Sequence, residues 1–563
     1  MRSPRAARLL VYALLLFFAT SDATASTAAF PADELFDEDL SLTQFPDGKI
    51  LAVFNFTRRL GPAAWARAQA NHYSLLPRPI GELIHSFGVE ELHLTFTQGR
   101  WNYDRWGYSP VSAASGVQLW SWFNATSIDA KWKGLTNALS GLFCASLNFI
   151  DQSNTAEPLM SFDAEGNHGG LERSFSKQAT DGFQLRYGSL PREAVCTENL
   201  TPWAKLLPCQ SKAGIASLFN AYKLYDSNFH SMGTHIRPIC EVGDCLTRQI
   251  EFQQTLAVVL DPIRFENRKD WSLEGIFNRG LDGRCPLARS SSVHITVPRE
   301  PASQWALQPL SEAVSDNGKT KTASYDLAAE GFVGAQLGVS WADPAVHFGI
   351  DRETSFLKVH RFLTGYGQER GGLAVDFRNF HPTSALPVTY FESVPWILKV
   401  YLHTLTIDTS DNSTGTSEIV QNVYFQPGID RLRPTVLEMS MVLPPASVVT
   451  VSIEFDKAFI KYTEHPPDAN RGFDVGYISA VITFPESPRS PDGKSKRMFT
   501  ETLLISLPTP DFSMPYNVIT MTSTLMALFF GSTFNLLTRQ FRPVERPEAG
   551  ESRWKRLMFW KKR

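Results

Sequence analysis

The fold class is decided by two neighbouring runs of sequence, LEMSMVL at 437–443 and VTVSIEF at 449–455. In each run apolar residues occupy every second position, which places them on one face of a β-strand. The same alternation recurs at 92–96, 293–297 and 398–402. Proline and glycine residues separate these runs, as they do at turns between strands. The sequence therefore predicts a mainly β protein.

Helical periodicity is found chiefly in the first half of the chain, at 80–87 and 132–142. There, apolar residues recur every three or four positions. Residues 299–321 form a polar stretch without a sustained period, and all six cysteines precede it. We therefore predict a cysteine-bearing β or α+β domain at 26–298, a linker at 299–321 and a β-sandwich domain at 322–505.

The first 25 residues have the pattern of a secretory signal peptide. Three arginines precede the 11-residue apolar segment at 9–19, and small residues at 23–25 suit a signal peptidase. An uncleaved anchor is the alternative, but this segment is too short to cross a hydrocarbon core of about 30 Å. We predict cleavage of residues 1–25 and a mature chain that begins at Ser26.

A second apolar segment lies near the C-terminus, where residues 517–537 carry no charge. A helix of roughly 20 such residues spans a membrane, with residues 506–516 as the juxtamembrane segment. From Arg539 onward the tail at 538–563 has nine Lys or Arg residues against three Glu. Because positive flanks stay in the cytosol, the pattern predicts a single-pass type I protein whose bulk is lumenal. A GPI-attachment signal would not end in such a charged extension.

The charge balance limits the class of partner. Lys and Arg total 54 and Asp and Glu total 57, which gives a formal net charge of −3. A chain without a basic excess does not bind nucleic acid through bulk attraction to phosphates. Hydrophobic residues make up 43% of the chain and charged residues 20%, a balance that also excludes a disordered chain.

Cysteines and glycosylation triplets agree with entry into the secretory pathway. In an oxidising compartment six cysteines can form up to three disulfides, and none has the paired spacing of a zinc site. The cysteines are Cys144, Cys196, Cys209, Cys240, Cys245 and Cys285. Four Asn-X-Thr triplets are candidate N-glycosylation sites, although Pro202 after the third is expected to lower its use. Their asparagines are Asn55, Asn124, Asn199 and Asn412.

No motif predicts catalysis by this chain. The acidic run at 33–39 and the pair Glu90-Glu91 could supply two glycosidase carboxylates, but such runs more often form solvated faces. His168 lies in the polar stretch DAEGNHGG, and no cysteine has the setting of a caspase-like nucleophile. We therefore expect neither a metal site nor a cofactor.

An aromatic cluster is the remaining candidate for a binding surface. Its members are Trp101, Tyr103, Trp106, Tyr108, Trp120 and Trp122. Exposed rings of this kind bind sugars or protein surfaces. If positions 120 and 122 lie in a strand, however, they share one face and suit a core. Both interpretations stay open at this point.

Five blocks of the sequence resemble the PIG-T family, whose members are non-catalytic subunits of the GPI transamidase of the endoplasmic reticulum. The blocks are FTQGRW at 96–101, GLFCASLNFID at 141–151, PREAVCTENLTPW at 191–203, VPWILKVYLHTLT at 394–406 and LPTPDFSMPYN at 507–517. The resemblance covers most of residues 40–540. It implies a β-sandwich protein of the endoplasmic reticulum membrane that assembles with other membrane subunits. The complex attaches GPI anchors to proteins, and a separate caspase-like subunit performs the chemistry.

The resemblance also implies a role for one cysteine. The family's cysteine in the block at 191–203 is bonded to the catalytic subunit, and that position here is Cys196. If Cys196 is used between chains, one other cysteine must be free, and we expect a buried thiol at Cys144. Cys240 with Cys245 and Cys209 with Cys285 are then candidate intrachain pairs. An ordinary intrachain bridge for Cys196 is the alternative.

The block at 507–517 implies a second role, at the lipid substrate. Asp511, Ser513 and Asn517 gather where the chain enters the membrane, and Asn470 is a further candidate. Such side chains can bond the hydroxyl and ammonium groups of a GPI headgroup. The alternative for Asn517 is an N-cap of the apolar helix.

The sequence therefore predicts a structural and substrate-positioning subunit that holds the caspase-like subunit and helps to position the GPI lipid. A free-standing type I receptor or adhesion protein that binds glycans through the aromatic cluster is the alternative. A hydrolase in its own right is a third class, with no motif to favour it.

Overall fold

The structure is a computed structural model. It describes residues 33–45, 47–124, 126–166, 183–240, 248–266, 269–281, 283–298, 305–311, 313–316, 320–328, 336–342, 355–365, 367–410, 416–466, 468, 471–476, 479–482, 496–509 and 513–543. The predicted signal peptide therefore lies outside the described residues, as does most of the predicted tail. The chain forms two compact units, one of residues 1–461 and 465–507 and one of residues 462–464 and 508–563.

The first half of the chain is built on one large mixed sheet. Its strands are β1 (Glu34–Gln44), β2 (Ile50–Leu60), β3 (Val89–Gly99), β4 (Gly116–Asn124), β5 (Thr155–Ala156), β6 (Phe183–Leu190), β7 (Phe229–Cys240), β8 (Arg248–Leu260), β10 (Ser290–Pro298), β12 (Ala313–Asp316) and β13 (Thr320–Asp326). Their order is β12-β13-β10-β1-β2-β8-β7-β3-β4-β6-β5. Strand β1 pairs antiparallel with β2 and parallel with β10, from Asp37 against Ser290 to Thr43 against Thr296.

Helices lie in the same half of the chain, and most of them contribute side chains to the core of this sheet. They are α1 (Pro62–Gln69), α2 (Arg78–Phe87), α3 (Tyr103–Trp106), α4 (Ile128–Phe143), α5 (Thr197–Lys205), α6 (Ala221–Tyr225), α7 (Ile263–Glu266) and α8 (Leu273–Phe277), with 3₁₀ turns at Ser146–Phe149, Gln152–Asn154 and Ile215–Leu218. Helix α4 buries Trp132, Leu135 and Leu139 in this core, as their spacing predicts. The predicted helix at 80–87 lies within α2 and buries Ile80 and Ile84.

The predicted linker at 299–321 contains two whole strands and the first two residues of β13. A small sheet has the order β11-β14-β9, in which β9 is Trp271–Ser272, β11 is Trp305–Gln308 and β14 is Gly338–Trp341. Strand β12 also lies in the predicted linker and pairs with β13 at the edge of the large sheet. Within the described part of this stretch, β12 therefore extends the large sheet, whereas β11 belongs to the small one. The division into separate domains stays a prediction, because both halves belong to one compact unit.

The second half of the chain is a β-sandwich. One sheet contains β15 (Leu357–Thr364), β16 (Arg370–Asn379), β18 (Leu398–Val400), β19 (Thr406–Thr409) and β22 (Val448–Lys457); the other contains β17 (Leu386–Val394), β20 (Val420–Gln426), β21 (Thr435–Leu443), β24 (Ser479–Ile482) and β25 (Lys496–Phe499). A short pair joins β23 (Phe473–Val475) to β26 (Leu503–Ile505). Along the chain, the 3₁₀ turn Leu402–Thr404 lies between β18 and β19, and helix α9 (Thr416–Ile419) lies between β19 and β20.

The two runs that predict the fold class meet in the sandwich core. Met439 and Met441 of β21 and Val449 and Val451 of β22 are buried in one cluster shared by both sheets. The prediction of a mainly β protein is confirmed. The strand predicted at 398–402 is shorter than expected, since the chain enters a 3₁₀ turn at Leu402.

The aromatic cluster is not an exposed platform for sugars. Trp101 and Trp120 are buried, as is Trp106. The Tyr103 and Tyr108 hydroxyls accept hydrogen bonds from the main-chain N–H groups of Phe499 (3.0 Å) and Phe356 (3.1 Å). These residues belong to the second half of the chain, so the cluster packs the large sheet against the sandwich. Its buried rings remove the feature on which a glycan-binding receptor was predicted.

The second unit contains one long helix, α10 (Ser513–Thr538), and the 3₁₀ turn Tyr462–Glu464. Residues Tyr516–Thr538 are long and apolar enough to cross a membrane, and none of this segment is buried within the protein. The N-cap interpretation of Asn517 is wrong, because the helix already begins at Ser513 and Asn517 lies in its second turn.

Candidate partner-binding site

The residues around Cys196 are held in place by hydrogen bonds at the start of helix α5. Cys196 is the N-cap of this helix, and its main-chain N–H donates to Oδ1 of Asn199 at 3.0 Å. A side-chain acceptor three residues into a helix satisfies a donor that has no partner within the helix itself. This hydrogen bond therefore fixes the N-terminus of the helix directly after Cys196.

Asn199 ties Cys196 to the end of helix α4. Its side chain is 1% exposed, and its Nδ2 donates to the carbonyl oxygens of Phe143 (3.0 Å) and Cys144 (3.1 Å). The carboxamide thus uses both donors and its acceptor inside the protein. Sequence reasoning missed this role, because Asn199 was expected only as a glycosylation site.

Two further contacts fix the cysteine and its helix. The Tyr225 hydroxyl of α6 donates to the carbonyl oxygen of Cys196 at 2.5 Å. Burial raises the pKa of Tyr225, and the neighbouring Cys196 raises it further, so the hydroxyl stays a donor at neutral pH. Trp203, fully buried in α5, donates from Nε1 to the Gly233 carbonyl of the large sheet at 3.1 Å. Hydrogen bonds to other parts of the fold therefore hold the main chain of Cys196 and its helix in place.

Five of the six cysteines have described pairing states. Cys196 and Cys144 are free and exposed, whereas Cys209 and Cys285 form a disulfide. Cys240 is also disulfide-bonded, and Cys245 lies outside the described residues. The expectation of a buried thiol at Cys144 is wrong. Cys144 ends helix α4 with φ +51°, between buried Phe143 and Ala145, and this turn directs its side chain to solvent.

The described glycosylation triplets differ in access. Asn124 is exposed at the end of β4. Asn55 lies within the large sheet, where its Nδ2 donates to Asp39 (3.1 Å) and its Oδ1 accepts from Gln253 (2.7 Å). A glycan on Asn199 would have to replace two buried hydrogen bonds. N-glycosylation stays a prediction, with Asn124 the accessible position of these three; Asn412 lies outside the described residues.

The predicted lipid-binding residues are only partly described. Asn470 and Asp511 lie outside the described residues. Ser513 begins helix α10, and Asn517 is exposed on it. Their role at a GPI headgroup stays a prediction.

Two of the acidic residues considered for catalysis are buried and hydrogen-bonded in the fold. Glu38 is buried and accepts from the Ser291 hydroxyl at 2.5 Å, although burial raises its pKa. Glu34, also buried, accepts from Arg67 (2.9 Å) and from the main-chain N–H of Leu75 (3.0 Å). The expectation of a solvated face at 33–39 is therefore wrong at these two positions, since both carboxylates turn inward and find partners.

A buried ionisable cluster lies elsewhere on the large sheet. His93 bonds Glu91 through Nε2 (2.8 Å) and His235 through Nδ1 (2.9 Å), and its ring stacks on Trp120. Burial lowers the pKa of His235 to about 3, so that its imidazole is neutral at neutral pH. Glu91 also accepts the main-chain N–H of Glu165 at 2.7 Å, which fastens a loop to the sheet. Among the described residues no group of His, Cys, Asp and Glu could hold a metal ion.

One cleft has the size of a small-ligand site. Its volume is about 330 Å³, and Asp226, Asp261 and Asp270 contribute its carboxylates. Asp226 pairs with Arg264 at 3.0 Å, and Asp261 with Lys49 at 3.4 Å. These aspartates therefore already have partners and do not point to a particular ligand.

Comparison with known proteins identifies the family. The family described as the Gpi16 subunit, a GPI transamidase component, matches residues 15–270 and 262–561. The chain belongs to the Gpi16 family. The match includes both Cys196 and helix α10, and it confirms the resemblance inferred from the five sequence blocks.

Relatives similar to this Gpi16-family chain match over nearly their full length. A GPI-anchor transamidase component PIGT from Homo sapiens is 41% identical over 552 residues, which is 92% of each chain. The corresponding protein of Mus musculus is 40% identical over 573 residues and 95% of each chain. The GPI transamidase component GPI16 of Saccharomyces cerevisiae is 33% identical over 566 residues, 91% of this chain and 89% of its own.

Proposed function

We propose that the chain is a non-catalytic subunit of the GPI transamidase complex in the endoplasmic reticulum membrane. It holds the caspase-like catalytic subunit through an interchain disulfide at Cys196 and helps to position the GPI lipid. The observation that carries the proposal is a free, exposed thiol on a fixed helix end, within a chain of the Gpi16 family. The protein has one membrane span, α10, with the bulk of the chain lumenal and the basic tail cytosolic.

The proposed bond requires an oxidant. Two thiols, that of Cys196 and one on the partner, lose two protons and two electrons to a protein disulfide of the oxidising compartment, which becomes a dithiol. The fixed main chain of Cys196 supports this role, because a thiol in one position meets its partner more often than one on a moving loop. Because Asn199 is buried, water does not compete for the hydrogen bonds through which it holds the main chain of Cys196.

The chain offers a matched control for the disulfide. Cys144 is also free and exposed, and Asn199 holds its main chain as well. We expect Cys196→Ser to abolish the reductant-sensitive adduct with the catalytic subunit, and Cys144→Ser to leave it intact. The measurement is a tagged pull-down of the full chain from membranes, separated with and without reductant. An adduct that survives Cys196→Ser, or is lost in Cys144→Ser alone, would assign the bond to a different cysteine.

The lipid-positioning part of the proposal rests on the polar residues near the start of α10. Asn517 is exposed on the helix and carries a carboxamide that can bond sugar hydroxyls or a phosphoethanolamine ammonium. We expect Asn517→Leu to lower GPI recovery with the purified complex more than it lowers subunit recovery. Asn535→Leu, a carboxamide near the other end of the same helix, is the control. Equal losses of lipid and subunits in Asn517→Leu would indicate a structural role.

A further inference from the structure

An exposed aromatic residue lies on the helix that contacts Cys196. Tyr222 is 83% exposed and precedes Tyr225 by three residues on α6. Residues three apart on a helix are neighbours on one side of it. Since the Tyr225 hydroxyl bonds the Cys196 carbonyl, Tyr222 stands about one helical turn from a residue in direct contact with Cys196.

A second exposed aromatic residue lies on the other segment tied to Cys196. Phe149, 66% exposed, ends the 3₁₀ turn that starts at Ser146. The Ser146 main-chain N–H donates to Glu193 Oε1 at 2.7 Å, and Glu193 precedes Cys196 by three residues. The 3₁₀ turn rises about 2 Å per residue. Phe149 therefore ends a turn that is hydrogen-bonded to the segment directly before Cys196.

Scattered exposed apolar side chains are ordinary on protein surfaces. Here, however, Phe149 and Tyr222 belong to two separate segments that are both hydrogen-bonded to the chain around one free thiol. A standard interface covers about 800 Å² per partner, a disc roughly 30 Å across. An interface of that size centred on Cys196 extends about 15 Å in each direction and so reaches the two segments that are hydrogen-bonded to the chain around it. Aromatic residues are also the side chains that most often supply binding energy at interface centres.

We propose that Phe149 and Tyr222 are the non-covalent anchors for the subunit whose thiol bonds Cys196. The three residues Phe149, Cys196 and Tyr222 form an anchor surface. Its partner is a protein that presents apolar pockets on either side of a reduced cysteine. The inference rests on the proposed function, since it takes the partner at Cys196 to be the catalytic subunit. Docking through the two rings brings the thiols together before they are oxidised.

The test separates docking from the covalent bond. In a Cys196→Ser background the full chain is recovered from membranes in mild detergent, and the amount of catalytic subunit that copurifies is measured. We expect Phe149→Ala and Tyr222→Ala each to lower this amount about tenfold, as interface anchors do. Tyr222→Phe should retain it, because the ring is kept. Phe380→Ala, at a 56%-exposed phenylalanine directly after β16, should also retain it.

Each outcome decides a different part. If the double variant Phe149→Ala with Tyr222→Ala recovers as much catalytic subunit as Phe380→Ala does, the anchor surface is overturned. If Phe149→Ala, Tyr222→Ala and Phe380→Ala all lower recovery equally, the loss is not specific to Phe149 and Tyr222. The anchor surface is then again overturned. The proposed function is tested separately, in chains that keep Cys196. If the unsubstituted chain forms no adduct at all, the disulfide itself is contradicted. Unchanged thermal unfolding of each variant shows that a loss is due to docking.

Discussion

Replacing Glu392 by alanine is expected to destabilise the sandwich by about 3–5 kcal/mol, because it leaves a buried guanidinium without its counter-charge. Arg361 and Glu392 are each 1% exposed. Arg361 Nη2 donates to Glu392 Oε1, and Nη1 donates to the Gly476 carbonyl. The Tyr390 hydroxyl donates to the other Glu392 oxygen. One substitution therefore removes the partner of both a charge and a buried hydroxyl.

Thermal unfolding of the full chain in detergent, followed by tryptophan fluorescence, measures this loss. The double variant Arg361→Met with Glu392→Leu is expected to be much less damaging, since it removes both charges together. Glu82→Ala, which breaks the exposed pair Arg78–Glu82, should change the unfolding temperature little. If Glu392→Ala unfolds like Glu82→Ala, the buried pair does not stabilise the fold as inferred.

Replacing both Cys209 and Cys285 by serine is expected to cost about 4 kcal/mol, because the bond closes a loop of 76 residues. Without the bond the unfolded chain gains the conformational freedom that the loop denies it. Cys285 is fully buried and its main-chain N–H approaches Glu38 at 3.5 Å, so the loss is expected to spread to β1.

The measurement is the thermal unfolding temperature of the double serine variant, which is expected to be lower than that of the wild-type chain. Cys144→Ser is the control, because this cysteine is free and exposed and its replacement should leave stability unchanged. If the wild-type chain unfolds at the same temperature with and without reductant, while the bond is shown to be reduced, the expected stabilisation is absent.

Local patterns in the sequence were sufficient to predict five of the strands and the apolar C-terminal helix. Alternation at 437–443 and 449–455 depends only on neighbours along the chain, and it predicted which side chains enter the sandwich core. The expectation of a buried thiol at Cys144 failed, because the apolar residues around it do not reveal that a tight turn directs this one side chain to solvent. A left-handed residue at the end of a helix gives little warning in its neighbours.

The support of the candidate site could not be predicted from single segments. Asn199 donates a hydrogen bond to Phe143, which lies 56 residues earlier in the chain. His93 contacts His235 only because β3 and β7 are neighbours in the sheet. The aromatic cluster likewise depends on which half of the chain covers it. Cys196 itself was found through resemblance to a family, whereas its exposure and its fixed main chain required the structure.

The parallel pairing of β1 with β10 also limits when the chain can fold during synthesis. Strand β1 ends at Gln44, but its partner begins only at Ser290. At about 5–20 residues per second, roughly 12 to 50 s separate the translation of the two strands. Throughout that interval one hydrogen-bonding edge of an early strand is open to other chains. Until the late partner arrives, this edge is therefore a place where the nascent chain can pair with a strand of another molecule.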